Sequence, residues 1–119
     1  MKNLTPHIIS IDAIHQDGEY IAIGDNKRLY SASYSTQHNT MFYAISSTVQ
    51  VSQFVPLAAI PILTYENAEE GNVYRFNSDW VTIEKVYGPF VKRPWRTVYA
   101  NIRGTVPKII KLYPHKTLS

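Results

Sequence analysis

The stretch WRTVYANIR, residues 95–103, alternates apolar and polar side chains with the two-residue period of a β-strand. One side of such a strand carries Val98, Ala100 and Ile102, preceded by Arg96, and these three apolar residues form the predicted core face. The opposite side carries Trp95, Thr97, Tyr99, Asn101 and Arg103. The pattern therefore predicts a half-buried strand whose second face is aromatic and polar.

Other segments predict further short strands. HIISIDAIHQDGEYIAI predicts two strands around Asp17-Gly18, and NVYRF with WVTIEKVY predicts a hairpin around residues 77–79. Two more strands are predicted in KRLYSASY and MFYAISSTVQVSQF. A short strand or one helical turn is predicted in VPKIIKLY, and a helical turn is predicted in TYENAEEG. About eight short strands separated by turns indicate a mainly β fold, either a single antiparallel sandwich or a small barrel, with one or two short helical turns.

Length and composition favour one β-rich domain spanning residues 1–119, because no repeat or interdomain linker interrupts the chain. The absence of cysteine excludes disulfides and thiolate metal sites. The start of the chain lacks the continuous apolar region of a signal peptide, and the apolar run 54–63 is too short to span a membrane. We therefore expect a cytoplasmic protein with no membrane partner.

The charges are unevenly distributed along the chain. Residues 1–84 hold four Lys or Arg against nine Asp or Glu, whereas residues 85–119 hold eight Lys or Arg and no acid. This asymmetry suggests an anionic partner. The alternative is that the acidic and basic parts neutralise each other within the fold.

The basic segment also carries aromatic residues, which together with cations suit single-stranded nucleic acid because bases stack on rings while Lys and Arg neutralise phosphates. The candidate binding residues are Lys92, Arg93, Trp95, Arg96, Tyr99, Arg103, Lys108 and Lys111. The predicted ligand is DNA, RNA or a nucleotide signal. The alternative is that Trp95 and Tyr99 are buried in the core.

The opening NLTPHIISI, Asn3 to Ile11, resembles a family of small phage and prophage proteins that begin Asn-Leu-Thr-Pro-His followed by alternating Ile or Val. GDNKRLYSASY and GNVYRF, the latter from Gly71 to Phe76, match comparable pieces of that family, so the resemblance covers about the first 80 residues. It implies a phage protein acting in the host cytoplasm and no particular activity. The basic C-terminal section lies outside it.

Catalytic and metal motifs are absent from the sequence. The four histidines, His7, His15, His38 and His115, form no metal-binding spacing, and neither a glycine-rich phosphate loop nor a nucleophile elbow occurs. We expect a non-enzymatic protein without a cofactor. A second hypothesis is a protein-binding inhibitor of a host or defence complex, or a virion subunit, that contacts an acidic protein surface or self-assembles through edge strands. A third is a small nuclease using His15, Glu19, His38 and Arg96.

Overall fold

The computed structural model describes residues 2–43 and 48–114, and within them the chain forms nine strands and three 3-10 turns. The strands are β1 (Ile9–Ser10), β2 (Gly18–Gly24), β3 (Leu29–Ser35), β4 (Thr40–Tyr43), β5 (Val51–Pro56), β6 (Val73–Phe76), β7 (Asp79–Tyr87), β8 (Arg96–Ile102) and β9 (Val106–Leu112). The 3-10 turns are Thr5–His7, Ile11–Ala13 and Leu57–Ala59.

The strands form two open sheets in which neighbouring strands are antiparallel. The mainly β fold class is therefore confirmed, and two open sheets are consistent with the sandwich alternative, since neither sheet closes into a barrel. The chain divides into two compact units, Asn3–Ile60 and Pro61–Ser119 with Met1–Lys2. The single domain spanning residues 1–119 stays a prediction beside this division.

The unit Asn3–Ile60 carries the sheet with strand order β1-β5-β2-β3-β4. Its apolar cluster is Ile14, Tyr20, Ala22, Ala32, Met41 and Phe54. Burial, with the nearby Tyr34 and Asp17, raises the pKa of Tyr20, whose hydroxyl donates to the carbonyl oxygen of Gln16 at 3.0 Å. Burial of Tyr20 in this cluster thus disfavours its ionised form.

The two strands predicted on either side of Asp17-Gly18 are present, but they do not pair with each other across a tight turn. The two-residue β1 pairs with β5, opposing Ile9 to Phe54, and the chain then enters a 3-10 turn. β2 begins at Gly18 and pairs instead with β3 and β5. The alternation of apolar residues predicts the strands of this region but not which strands pair. About forty residues of chain separate β1 from its partner β5, and a local pattern does not indicate such a distant pairing.

The unit that begins at Pro61 carries the sheet with strand order β6-β7-β8-β9. The predicted hairpin of residues 72–87 is confirmed, and its turn residues Asn77 and Ser78 have φ of 49° and 63°, as a tight hairpin turn requires. Residues 106–112 form strand β9, so the strand alternative holds for that segment.

The helical turn expected within residues 64–71 is wrong, because the segment makes a non-helical turn. There the amide N–H of Thr64 donates to Asn67 Oδ1, and the N–H of Asn67 donates to Thr64 Oγ1. These side chains satisfy the backbone groups that helical bonds would otherwise use.

One face of the β6–β9 sheet is apolar. The cluster on it contains Leu63, Ala68, Tyr74, Val81, Ile83, Val98, Ala100, Ile110 and Leu112. The predicted core face of β8 is confirmed: Val98 and Ala100 are buried and Ile102 packs against the cluster partly buried. Alternation places the intervening residues of β8 and β9 on the opposite face.

Adjacent isoleucines on β9 test this alternation. Ile110 is 4% exposed and Ile109 is 63% exposed. Ile110→Ala should lower the free energy of unfolding by about 2–5 kcal/mol, because it leaves a cavity in the core. The matched Ile109→Ala, measured in the same urea titration of dilute protein, should change it by about 0.5 kcal/mol or less. Equal losses from the two variants would contradict the face assignment.

Candidate functional site

The face of β7–β9 opposite the apolar cluster presents rows of paired side chains. Lys85, Tyr99 and Ile109 form one row across the three strands, and Tyr87, Thr97 and Lys111 form the next. We call this surface the aromatic face; its members are Lys85, Tyr87, Trp95, Thr97, Tyr99, Ile109, Lys111 and Tyr113.

A β-bulge gives β7 its contribution to the aromatic face. The register shifts between Ile83, which opposes Ala100, and Lys85, which opposes Tyr99. Glu84 is the extra residue, so the side chains beyond it exchange faces relative to strict alternation. As a result, Val86 packs on the apolar cluster while Tyr87 faces outward.

Two aromatic pairs lie on this face. The rings of Tyr87 and Tyr99 meet edge to face, with centroids 5.3 Å apart and an interplanar angle of 81°. The rings of Trp95 and Tyr113 lie 5.8 Å apart. Tyr99 is 40% exposed and Trp95 is partly exposed. Neither residue is buried, and each presents ring surface to solvent.

The cations near these rings differ in how strongly they are engaged. Lys111 Nζ lies 4.9 Å from the centroid of the Trp95 ring, in a cation–π contact. Lys85 Nζ lies 4.0 Å from a carboxylate oxygen of Glu70, and both side chains are about half exposed. Such an ion pair contributes little to stability but partly neutralises Lys85. Lys111 therefore supplies the clearer positive charge on the aromatic face.

The segment 88–95, between β7 and β8, forms a basic loop beside Trp95. The N–H of Arg93 donates to the carbonyl oxygen of Phe90 at 2.9 Å, which closes a tight turn. Gly88 permits the fold-back: its φ is 87°, and an added Cβ would lie 3.3 Å from the Trp95 carbonyl oxygen. Lys92 and Arg93 are exposed on this turn, so they add two charges near Trp95.

An open groove of about 560 Å³ lies on the aromatic face at Tyr99. It is lined by Glu84, Lys85, Tyr99, Ala100, Pro107, Lys108 and Ile109. The apolar side chains of Pro107 and Ile109 form one wall, and Glu84 and Lys85 form the other side. The groove has the size of a small-molecule site but is open to solvent along the sheet.

Arg96 lies on the opposite face of β8 and has structural partners there. Its Nη1 donates to the carbonyl oxygen of Tyr65 at 2.6 Å and its Nη2 to that of Ala68 at 3.4 Å. The guanidinium carbon lies 5.6 Å from the centroid of the Tyr65 ring, and Nε is buried without a hydrogen-bond partner. Arg96 thus tethers the turn at residues 65–68 to the sheet.

Two further predicted site residues also have partners away from the aromatic face. Arg103 Nε donates to both carboxylate oxygens of Asp79, at 3.1 and 3.2 Å. Lys108 Nζ lies 5.9 Å from the centroid of the Phe76 ring, although Lys108 also borders the groove. The basic section is thus partly neutralised by acids that precede it, as the charge alternative anticipated, through the pairs Glu70–Lys85 and Asp79–Arg103.

The structure brings together five of the eight predicted site residues: Lys92, Arg93, Trp95, Tyr99 and Lys111. Arg96 and Arg103 have partners elsewhere. Lys108 contacts the Phe76 ring and approaches this set only where it borders the groove beside Tyr99. As site residues, sequence reasoning missed the other five members of the aromatic face, which are Lys85, Tyr87, Thr97, Ile109 and Tyr113. A signal for Tyr87 exists in the sequence, because Val81 and Ile83 are followed by Val86, and this change in apolar spacing is typical of a bulge.

The histidines proposed for a nuclease lie in the other unit. His15, Glu19 and His38 are exposed and belong to the unit Asn3–Ile60, whereas Arg96 belongs to the unit that begins at Pro61. Among residues 2–43 and 48–114, no group of three or more His, Cys, Asp or Glu side chains is placed to hold a metal ion. His115 lies outside these residues. The same ranges contain no helix long and apolar enough to cross a membrane.

Comparisons with known proteins give no relative: no family model, no curated protein and no solved structure matches the chain. The resemblance of Asn3–Ile11 to small phage proteins therefore stays a prediction.

Arg96 and Arg93 allow a test that distinguishes a hydrogen-bonded structural cation from an exposed one. Arg96→Ala should lower the free energy of unfolding by about 1–3 kcal/mol, because it removes charge-assisted bonds to the carbonyl oxygens of Tyr65 and Ala68. Arg93→Ala, which changes an exposed cation three residues earlier, should change it by about 0.5 kcal/mol or less. Urea unfolding of both variants measures the difference. Equal stability of the two variants would show that Arg96 does not tether the turn.

Proposed function

We propose that this protein is a non-enzymatic binding protein that holds single-stranded nucleic acid on the aromatic face. The observation that carries the proposal is the pairing of exposed Tyr87 with Tyr99 and of partly exposed Trp95 with Tyr113, beside the Lys111 ammonium group. Stacking on an aromatic side chain contributes about 1–3 kcal/mol per base and tolerates any sequence. Cations next to the rings neutralise the phosphates.

The two ring pairs are spaced along the strand direction. Trp95 and Tyr99 are four residues apart, which corresponds to about 13 Å along an extended chain. Both point to the same side, so a bound strand that follows β8 meets one platform after the other. Lys92 and Arg93 stand at the Trp95 end of this path, and Lys108 stands at the groove beside Tyr99. The path therefore has cations at both ends.

The acidic residues near β7 determine how a bound nucleic-acid strand would be oriented across β7, β8 and β9. Glu84 borders the groove on the β7 side, and Glu70 pairs with Lys85 there. These carboxylates repel phosphates, whereas Lys108 and Lys111 on β9 attract them. The proposed arrangement has bases over Tyr87 and Tyr99 and the phosphate backbone towards β9.

A protein partner is the second candidate, and the loop between β7 and β8 favours it. Phe90 is 53% exposed, and Val91 is fully exposed at the tip of that loop. Exposed apolar side chains next to arginine and aromatic residues are also typical of protein interfaces. Such a partner would be an acidic protein surface, as for an inhibitor of a host or defence complex or a virion subunit. Phage origin and host cytoplasm belong to the same proposal.

Removal of a ring platform tests the nucleic-acid proposal. Trp95→Ala and Tyr99→Ala should each weaken binding of a labelled single-stranded oligonucleotide by about 5- to 150-fold, the equivalent of one lost stacking platform. Fluorescence anisotropy at fixed salt measures the dissociation constants. The control is Phe42→Ala, because Phe42 is a 51% exposed ring on β4, outside the aromatic face, and its loss should leave binding unchanged.

Salt dependence in the same assay reports the phosphate contacts. The logarithm of the association constant should fall linearly with the logarithm of salt concentration, and Lys111→Ala should make this slope shallower by about 0.7. Wild-type protein that shows no salt-sensitive binding to DNA or RNA strands would contradict the proposal. Nuclease-insensitive retention of an acidic protein, lost in Val91→Asp, would then support the second candidate.

A further inference from the structure

The β6–β9 sheet has one covered and one uncovered edge among the residues that the structure describes. At the β6 edge, Leu63 N–H donates to the carbonyl oxygen of Arg75 and Arg75 N–H donates to that of Pro61, both at 2.9 Å. At the other edge, β9 pairs with β8 alone. An uncovered edge presents a row of unpaired backbone groups that can pair with another strand.

The printed register and hydrogen bonds identify which backbone groups of β9 point outward. Arg103 N–H donates to the carbonyl oxygen of Trp80, so odd-numbered residues at the end of β8 bond towards β7. Even-numbered residues of β8 must then bond to β9, where they oppose even-numbered residues such as Lys108 and Ile110. Pro107 is consistent with this alternation. It has no N–H to donate, and its backbone groups point away from β8, so no hydrogen bond to that strand is lost. The N–H groups of Ile109 and Lys111 therefore point away from the sheet.

The side chains of this edge are unusually apolar for an unprotected strand. Ile109 is 63% exposed and Val106 is 56% exposed. Natural edges are commonly protected by charge, proline or a covering segment. β9 has two lysines and one proline, and its centre at Ile109–Ile110 has none of these. At this centre, Ile109 offers an outward backbone N–H group and an exposed apolar side chain to a partner.

We propose that two copies of this protein associate through antiparallel pairing of their β9 strands. A two-fold axis at Ile109 or Ile110 places each lysine opposite an apolar residue and never opposite a lysine: Lys111 meets Pro107 of the second copy in the first register and its Ile109 in the second. An antiparallel partner supplies the same groups that it receives, so the contact closes on itself as a symmetric dimer. An acidic extended peptide would match the lysine charges but would leave no reason for the apolar centre.

The dimer has a consequence for the aromatic face. Residues directly opposite each other in an antiparallel pair share one face of the sheet. The eight-stranded sheet would therefore present the aromatic faces of both copies on the same side, joined through Ile109. The dimer does not require nucleic acid, because the outward backbone groups and the exposed apolar side chain of β9 form the contact.

Proline substitution tests the edge because it removes an outward donor without touching the bonds to β8. Sedimentation equilibrium of nuclease-treated wild-type protein at high salt should show a reversible dimer. Ile109→Pro should raise the dimer dissociation constant by about tenfold or more, since the two-fold axis doubles each lost bond. Ile109→Thr keeps the N–H and a β-branched side chain, so it should dimerise more tightly than Ile109→Pro. Pro107→Ala adds an outward donor and should strengthen the dimer.

Each outcome decides the proposal. Circular dichroism confirms that every variant is folded, and Pro107→Ala gives the test a gain of function that a folding defect cannot imitate. A monomeric wild type at concentrations up to about 1 mM would overturn the proposal. So would a dimer that is indifferent to Ile109→Pro and Pro107→Ala, which would place the contact on another surface such as the β4 edge. If the protein is monomeric and binds an acidic peptide through β9, the dimer proposal is wrong and the partner of β9 is an acidic peptide.

Discussion

The β-bulge at Glu84 determines which side chains the unit that begins at Pro61 presents to solvent. Before it, Val81 and Ile83 face the apolar cluster, and after it Val86 does so. Because the extra residue changes the parity of the strand, Tyr87 and Lys85 lie on the same side as Tyr99. Without the bulge, Val86 would face solvent and Tyr87 would face the apolar cluster. The Tyr87–Tyr99 pair, and with it the aromatic face, depends on this one residue.

Periodicity alone predicts the face assignment of β8 and the mainly β class. Val98, Ala100 and Ile102 alternate with polar residues, and the core of this unit selects the apolar side. Periodicity does not predict which strands pair with each other. For example, β1 pairs with β5, which lies far from it along the chain, and alternation carries no information about such a pairing. The turn at 64–67 was also missed, since side-chain bonds between Thr64 and Asn67 replace helical backbone bonds.

The candidate site was predicted in part, and the reason lies in the partners of each cation. The sequence shows that Arg96 and Arg103 are basic. It does not show that Arg96 donates to backbone carbonyl oxygens or that Arg103 donates to the carboxylate of Asp79. Lys92, Arg93 and Lys111 have no ion pair among the described residues and remain next to the rings. Net charge therefore overstates the basic character of the surface. Sequence analysis of β8 alone did not include Tyr87, at the end of β7, or Tyr113, which directly follows β9.

The central claim is that the aromatic face is the binding surface, and nuclear magnetic resonance maps it most directly. Titration of isotope-labelled protein with a short single-stranded oligonucleotide should shift the backbone amide signals of Tyr87, Thr97, Tyr99 and Lys111, together with the indole N–H of Trp95. Signals of the buried Trp80 indole and of β3 and β4 should stay in place. Shifts centred on β3 and β4, or none in β8 at saturating oligonucleotide, would contradict the account.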